Sequence, residues 1–297
     1  MASSIRAYAC FYLLIFVALL VAFPLQTMAA EQKRLTLLRA YTQPSLRGRE
    51  PKSFSWRRDD KLVAYTWSEK GWSFSEIWVL DVSSGEKWRV SDFESTQLAE
   101  AREANKEVKE AENRKTDKEL VEAVHKYGGA GSPTWGSDGM LYVPWAGDIW
   151  RLSPDKPCTD EKGQPIFANP DLFLDLQGWL GGLSFSDDGT QLGFEYENCY
   201  WVYDLGTGSL REVAQGSGGR GQGSFSWSAD GRFIAFSRVD STGLRQINLV
   251  DFIPDNIAAW PVNRARPGDT IDRVQIGIVD MTRSGLKRNQ PRILKLG

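Results

Sequence analysis

A single histidine, His125, serves all 297 residues, and methionine is nearly as scarce at four. Histidine is the commonest general base, so catalysis by this chain would have little to draw on. Only three cysteines occur and no Cys-x-x-Cys, which leaves no metal-ligating pattern, and no cofactor is expected. A charge excess of either sign is missing as well: 36 Lys and Arg against 38 Asp and Glu give a net charge of −2. There is thus no basic footprint for a nucleic-acid partner. Long apolar runs are limited to one, near the amino terminus, which excludes a polytopic membrane protein. With 41% hydrophobic and 25% charged residues, the composition also excludes disorder and collagen-like repeats. What the chain has instead is 12 Trp and 28 Gly, a mixture suited to packed antiparallel strands joined by tight turns.

Residues 1–30 are set apart from the rest. Arg6 is the only charge before the apolar run Ala7–Phe23; Pro24 follows, and the stretch closes on Met28-Ala29-Ala30. A charged start, an apolar segment and a small-residue cleavage site form the layout of a secretory signal. The run also reaches the lower edge of a membrane-spanning length, so an uncleaved anchor is the rival reading. Either way residues 31–297 are expected outside the cytoplasm, periplasmic or extracellular, and membrane-associated only if the segment is retained. Cys158 and Cys199 would then meet conditions that permit a disulfide, with two free thiols as the alternative.

The body repeats a strand–turn–strand unit. Trp56 precedes Asp59, Trp135 precedes Asp138, Phe185 precedes Asp188 and Trp227 precedes Asp230, three residues apart each time. In three of the four copies Gly follows the Asp: Gly139, Gly189 and Gly231. Asp accepts backbone N–H bonds in a turn, and Gly supplies positive φ. The aromatic is expected on a buried strand face, with the apolar stretch beyond the turn returning as the next strand. A second hairpin follows in Ile77-Trp78-Val-Leu-Asp81 through Gly85 and again in Tyr200-Trp201-Val-Tyr-Asp204 through Gly208. Looser versions begin at Ile149-Trp150 and at Gly277. Two hairpins make a four-stranded sheet, and spacings of 50 and 42 residues between the last three aromatics suit a propeller blade. The fold expected is all-β: a partial or small β-propeller of about four or five four-stranded antiparallel blades. One charged helical insertion, 99–126, interrupts it, with opposite charges at Glu110–Arg114 and Glu122–Lys126. His125 ends that insertion and is expected to be a solvated surface residue.

In this order the motifs resemble the N-terminal β-propeller region of bacterial dipeptidyl peptidase IV-like enzymes, in the prolyl oligopeptidase group of serine peptidases. The resemblance runs from about residue 35 to 281. It rests on Leu35-Thr-Leu through Pro44-Ser-Leu-Arg-Gly48, on Glu76-Ile-Trp-Val-Leu-Asp81 with the charged insertion behind it, and on Gly147-Asp-Ile-Trp150. Phe236-Ser-Arg-Val-Asp240 and the block from Pro267 to Asp280 complete it. The resemblance implies an exported protein engaged in proteolysis, whose peptide or protein substrate is gated and positioned by the propeller.

Two features of the family are not found. A hydrolase domain should carry a Ser-Asp-His triad with its Ser in a Gly-x-Ser-x-Gly elbow, and these 297 residues contain no such elbow. No catalytic residue is therefore assigned, and the 267 residues beyond the signal read as part of a larger design. The family also grips the substrate's free amino terminus with two glutamates placed before the blade that starts here at Ser226-Trp227. This chain has Val213-Ala-Gln-Gly216-Ser-Gly-Gly-Arg-Gly-Gln-Gly223 there, without an acid, so no substrate-binding residue is carried over. Gly216-x-Gly218-x-x-Gly221 in the same stretch mimics a dinucleotide fingerprint but leads into a strand rather than a helix. The alternative function is a stand-alone extracytoplasmic propeller serving as a binding or scaffold module. Sugar binding by exposed Trp is a third possibility, set against the buried strand sites most Trp residues are expected to hold.

Overall fold

Each of the four repeated Asp residues closes its turn as the sequence predicts. The Oδ1 atoms of Asp59, Asp138, Asp188 and Asp230 accept the backbone N–H two residues on, at 3.1, 3.0, 3.0 and 3.1 Å. Gly139, Gly189 and Gly231 adopt φ of +77°, +71° and +66°; in the copy without glycine, Asp60 takes +58°. Asp tolerates this left-handed region because its short side chain bonds locally.

The computed structural model describes residues 36–42, 44–108, 113–215, 225–240, 243–251, 258–271, 273–282 and 292–295. Residues 1–42 form one unit, whose described part is the short helix α1 (Leu37–Tyr41), with Arg39 N–H donating to Thr36 Oγ1 at 3.1 Å. The signal segment 1–30 lies outside the described residues. Among the described residues no helix is long and apolar enough to cross a membrane.

Residues 43–297 build four antiparallel four-stranded blades in chain order. Blade 1 is β1 (Lys52–Trp56), β2 (Leu62–Trp67), β3 (Glu76–Asp81) and β4 (Lys87–Arg89). Two helices follow, α2 (Phe93–Lys106) and α3 (Asp117–Tyr127). Blade 2 has β5 (Thr134–Trp135), β6 (Leu141–Trp145) and β7 (Asp148–Leu152). A small hairpin of β8 (Cys158–Thr159) and β9 (Pro165–Ile166) comes before its outer strand β10 (Asp171–Leu174). Blade 3 is β11 (Leu180–Phe185), β12 (Gln191–Tyr196), β13 (Cys199–Asp204) and β14 (Ser209–Gln215). In blade 4, β15 (Phe225–Trp227) and β16 (Phe233–Asp240) pair with β19 (Arg273–Asp280) and β20 (Arg292–Lys295). The ribbon β17 (Gln246–Asp251) and β18 (Ala258–Asn263) is inserted between β16 and β19, a feature the repeat pattern did not reveal.

Strand alternation explains how the blades stack. On β6, Leu141 and Val143 face blade 1, where Ala64, Ile77 and Val79 meet them. Tyr142, between them, turns the other way and packs with Leu192 and Phe194 of blade 3. The far face of blade 3 presents Tyr200 and Val202 to Ile234, Phe236 and Val279 of blade 4. Fully burying each such side chain contributes about 1.5–3 kcal/mol. The first strands β1, β5, β11 and β15 neighbour one another in order, and the repeated Trp ties them: Trp135 Nε1–H donates to Ser55 O at 2.9 Å, and Trp227 Nε1–H to Ser184 O at 3.1 Å.

Three expectations change. Phe54 and Trp56 on β1 are 62% and 57% exposed, because no described sheet covers that face; the repeat fixes the position of an aromatic, not the presence of a neighbour. The insertion is two helices and begins at Phe93, since a capping box starts a second helix: Thr116 Oγ1 accepts Glu119 N–H at 3.3 Å while Glu119 Oε2 accepts Thr116 N–H at 2.7 Å. Finally, His125 is 5% exposed, not solvated. Glu110 falls outside the described residues, while Lys118 and Glu122 form an i,i+4 pair at 3.8 Å.

Candidate functional site

The buried polar groups around His125 explain why it left the surface. Helix α2 begins at Asp92, whose side chain makes no capping bond. Its orphan N–H groups are met from another element: Glu76 on β3 accepts Phe93 N–H at 3.2 Å on Oε2 and Glu94 N–H at 2.8 Å on Oε1. Ser91 Oγ–H also donates to Glu76 Oε2, while Ser91 Oγ accepts Ile77 N–H at 2.9 Å. Burial pushes the Glu76 carboxyl up, and the Ser91 and backbone hydrogen bonds oppose that rise. Within the first turn of the helix, Glu94 Oε1 meets His125 Nε2 at 2.8 Å, and Glu94 Oε2 lies 3.6 Å from Lys70 Nζ. The imidazole packs against Trp72 with ring centroids 4.3 Å apart.

A His–carboxylate pair could orient a base for a nucleophile. Here Nδ1, the remaining ring nitrogen, has no hydrogen-bond partner among the described residues, so no described Ser or Cys is bonded to it. The pair instead ties α3 to α2. At the start of α2 lies a cavity of about 210 Å³ lined by Asp92, Thr96, Leu152, Phe167 and Asn169 among others. Arg89 holds one wall, 3.2 Å from Asp92 and with its guanidinium 4.4 Å over the Phe167 ring.

The cysteines resolve the alternative left open above: both Cys158, exposed on β8, and Cys199, half-buried on β13, are free. Burial, then the Glu212 and Glu195 carboxylates, push the Cys199 thiol up and away from the nucleophilic thiolate. Among the described residues no cluster of three or more His, Cys, Asp or Glu is placed to hold a metal ion. In the acid-free segment, Val213 and Ala214 are core residues between blades 3 and 4; Gly216, Gly218, Gly221 and Gly223 lie outside the described residues. Asp204 Oδ1 accepts Thr207 N–H at 2.8 Å, so the Trp201-Val-Tyr-Asp204 run does end in a turn.

Glu195, on β12, is 4% exposed and stands opposite Gly181 and Gly182, which a bulge sets together on β11.

No protein-family sequence pattern matches the chain, and no curated protein does. Among solved structures it is similar to dipeptidyl peptidase 4 of Porphyromonas gingivalis, at 13% identity and a TM-score of 0.46, over 84% of this chain and 33% of that one. It is also similar to TolB of Acinetobacter baumannii, at 16% identity and a TM-score of 0.40, over 78% of this chain and 52% of that one. The tricorn protease is a third, at 10% identity and a TM-score of 0.38, over 80% of this chain and 18% of that one. The chain thus spans about a third of the length of the dipeptidyl peptidase and about half that of TolB.

Proposed function

We propose that residues 31–297 are the substrate-positioning propeller of an exported dipeptidyl peptidase IV-like serine peptidase, with hydrolysis performed by a domain outside these 297 residues. The observation that carries this reading is the order of the parts. A blade, a helical insertion and three further blades follow one another along the chain, in step with the motifs from Leu35 to Asp280. A propeller in this role holds a peptide against a catalytic domain and excludes competing substrates, which needs a rigid scaffold rather than a nucleophile. The coding sequence directly after the codon for Gly297 tests it. A Gly-x-Ser-x-Gly elbow followed in order by Asp and His supports the reading; a stop codon with no hydrolase encoded nearby overturns it. Cleavage of a Xaa-Pro chromogenic dipeptide by the purified 297-residue chain would refute the assignment of chemistry elsewhere.

Export rests on the Ala7–Phe23 run and the small residues at 28–30. Amino-terminal sequencing of the product should read from Glu31; a product retaining Met1 in the membrane indicates an anchor. A second reading, a stand-alone extracytoplasmic binding or scaffold module, is favoured by the missing elbow and the missing acids in 213–223.

A further inference from the structure

The three contacts between successive blades repeat one pairing. Ser55, Thr134, Ser184 and Ser226 on the first strands stand opposite Ala64, Tyr142, Gly193 and Ala235 on the second. The aromatic of the next blade comes down on that pair. Trp135 shares a buried cluster with Ala64 and donates to Ser55 O. Trp227 donates to Ser184 O, and its Nε1 would stand 3.2 Å from a Cβ on Gly193. Between blades 2 and 3 the arriving residue is Phe185, whose ring centroid lies 5.0 Å from that of Tyr142. Where an indole arrives the residue beneath is small, and where the lesser phenyl arrives it is Tyr, as filling a seat of fixed volume requires.

Both ends of this series are open. At one end Trp56 on β1 is 57% exposed, with Phe54 beside it also exposed. At the other end, Ser226 and Ala235 of blade 4 are exposed, whereas Ala64, Tyr142 and Gly193 are buried under a following blade. Ile276 and Ile278 share the face of Ala235 and are half-buried; their counterparts in blade 1, Ile77 and Val79, are fully buried. One end thus presents an indole, and the other the small residue and the seryl carbonyl that receive an indole elsewhere in the fold. The two halves do not meet within one chain, because β5 and β11 stand between β1 and β15 in the order of first strands.

We propose that the open face of blade 4 docks a second copy of this chain, with Trp56 of one copy seated on Ala235 and donating to Ser226 O of the other. A two-fold axis repeats the contact and closes two four-blade chains into a ring of eight. Eight blades fall within the usual range of about four to eight, and a head-to-tail contact that did not close would grow into a filament. The proposal does not rest on the peptidase reading. Its test is the mass of the purified chain by size-exclusion chromatography with light scattering, expected at twice that of one chain. Trp56→Lys and Ala235→Arg change exposed residues, and each dimer contains the altered contact twice. Each should therefore raise the dimer dissociation constant at least about a hundredfold. An equimolar mixture of the two variants retains one intact Trp56–Ala235 contact per pair and should dimerise about tenfold or more tightly than either alone. Far-ultraviolet circular dichroism checks folding, and Phe54→Lys, on the same exposed face, replaces Trp56→Lys should that variant not fold. A monomeric wild type, open-ended assembly or no gain on mixing would each overturn the proposal. So would a dimer indifferent to both substitutions, which would place the contact on another surface such as the β17–β18 ribbon. Further Trp-x-x-Asp hairpins encoded directly after the codon for Gly297 would also overturn it, since the same polypeptide would then cover blade 4.

Discussion

Replacing Trp135 by Phe removes the N–H that joins blade 2 to Ser55 O of blade 1 while keeping an aromatic ring in the slot. A net hydrogen bond is worth about 1 kcal/mol, and the Ser55 carbonyl is left in a part-buried setting where desolvation is uncompensated. The smaller ring adds a cavity contribution of about 1 kcal/mol at a residue packed among Ala64, Leu141 and Val143. The expected loss is therefore about 2 kcal/mol. Trp78 provides the control, since it too is buried, in blade 1, but its Nε1–H has no partner among the described residues. Trp78→Phe should lose only the packing part and gain relief of an unpaired donor, leaving it at least about 1 kcal/mol less damaging. Urea unfolding followed by far-ultraviolet circular dichroism, with m-values compared, reads both variants. Equal losses would refute the view that the repeated indole N–H is what locks adjacent blades.

Three further outcomes follow from the same geometry. Gly139→Ala should cost about 1 kcal/mol by urea midpoint, because φ is +77° while the added methyl would touch nothing within 4 Å; an unchanged midpoint would contradict a strain-based turn. Asp59, Asp188 and Asp230 titrate low: the Arg57 hydrogen bond holds Asp59 at about 2, and bonds from Ser186 and Thr190 and from Ser228 and Arg232 lower Asp188 and Asp230. Their folded values lie below the unfolded one, so their stabilisation is present above about pH 3.9 and lost as pH falls through the depressed values. Asp188→Asn should flatten the acid limb of a urea-midpoint profile, and an identical limb would count against it. Glu94→Ala leaves His125 Nε2 buried without its 2.8 Å partner and should cost about 1–3 kcal/mol; thermal unfolding matching wild type would show that the pair does not hold the helices together.

The turn chemistry was open to reading because it is local. An Asp that bonds its own chain two residues on, and a Gly or Asp that accepts positive φ, act within four residues, so Asp138-Gly139 and Asp188-Gly189 announced their hairpins directly. The blades followed, since alternation along Leu141-Tyr142-Val143 assigns opposite faces without reference to any neighbour. Partnership across the fold was not encoded in this way. His125 sits in a charged segment and was expected in water, yet Trp72 and Glu94, 53 and 31 residues earlier, enclose it. Trp56 has the same motif as Trp135 but lies exposed, because burial needs a second surface that the motif does not specify. Glu195 became notable only when the bulge set it against two glycines on the preceding strand. The sequence by itself determined the repeated turns and the blade strands they join, since those rest on bonds between near neighbours, but not the inserted ribbon β17–β18. The tertiary structure decided which polar groups are buried and which of them go unpaired, because desolvation depends on everything packed around a group.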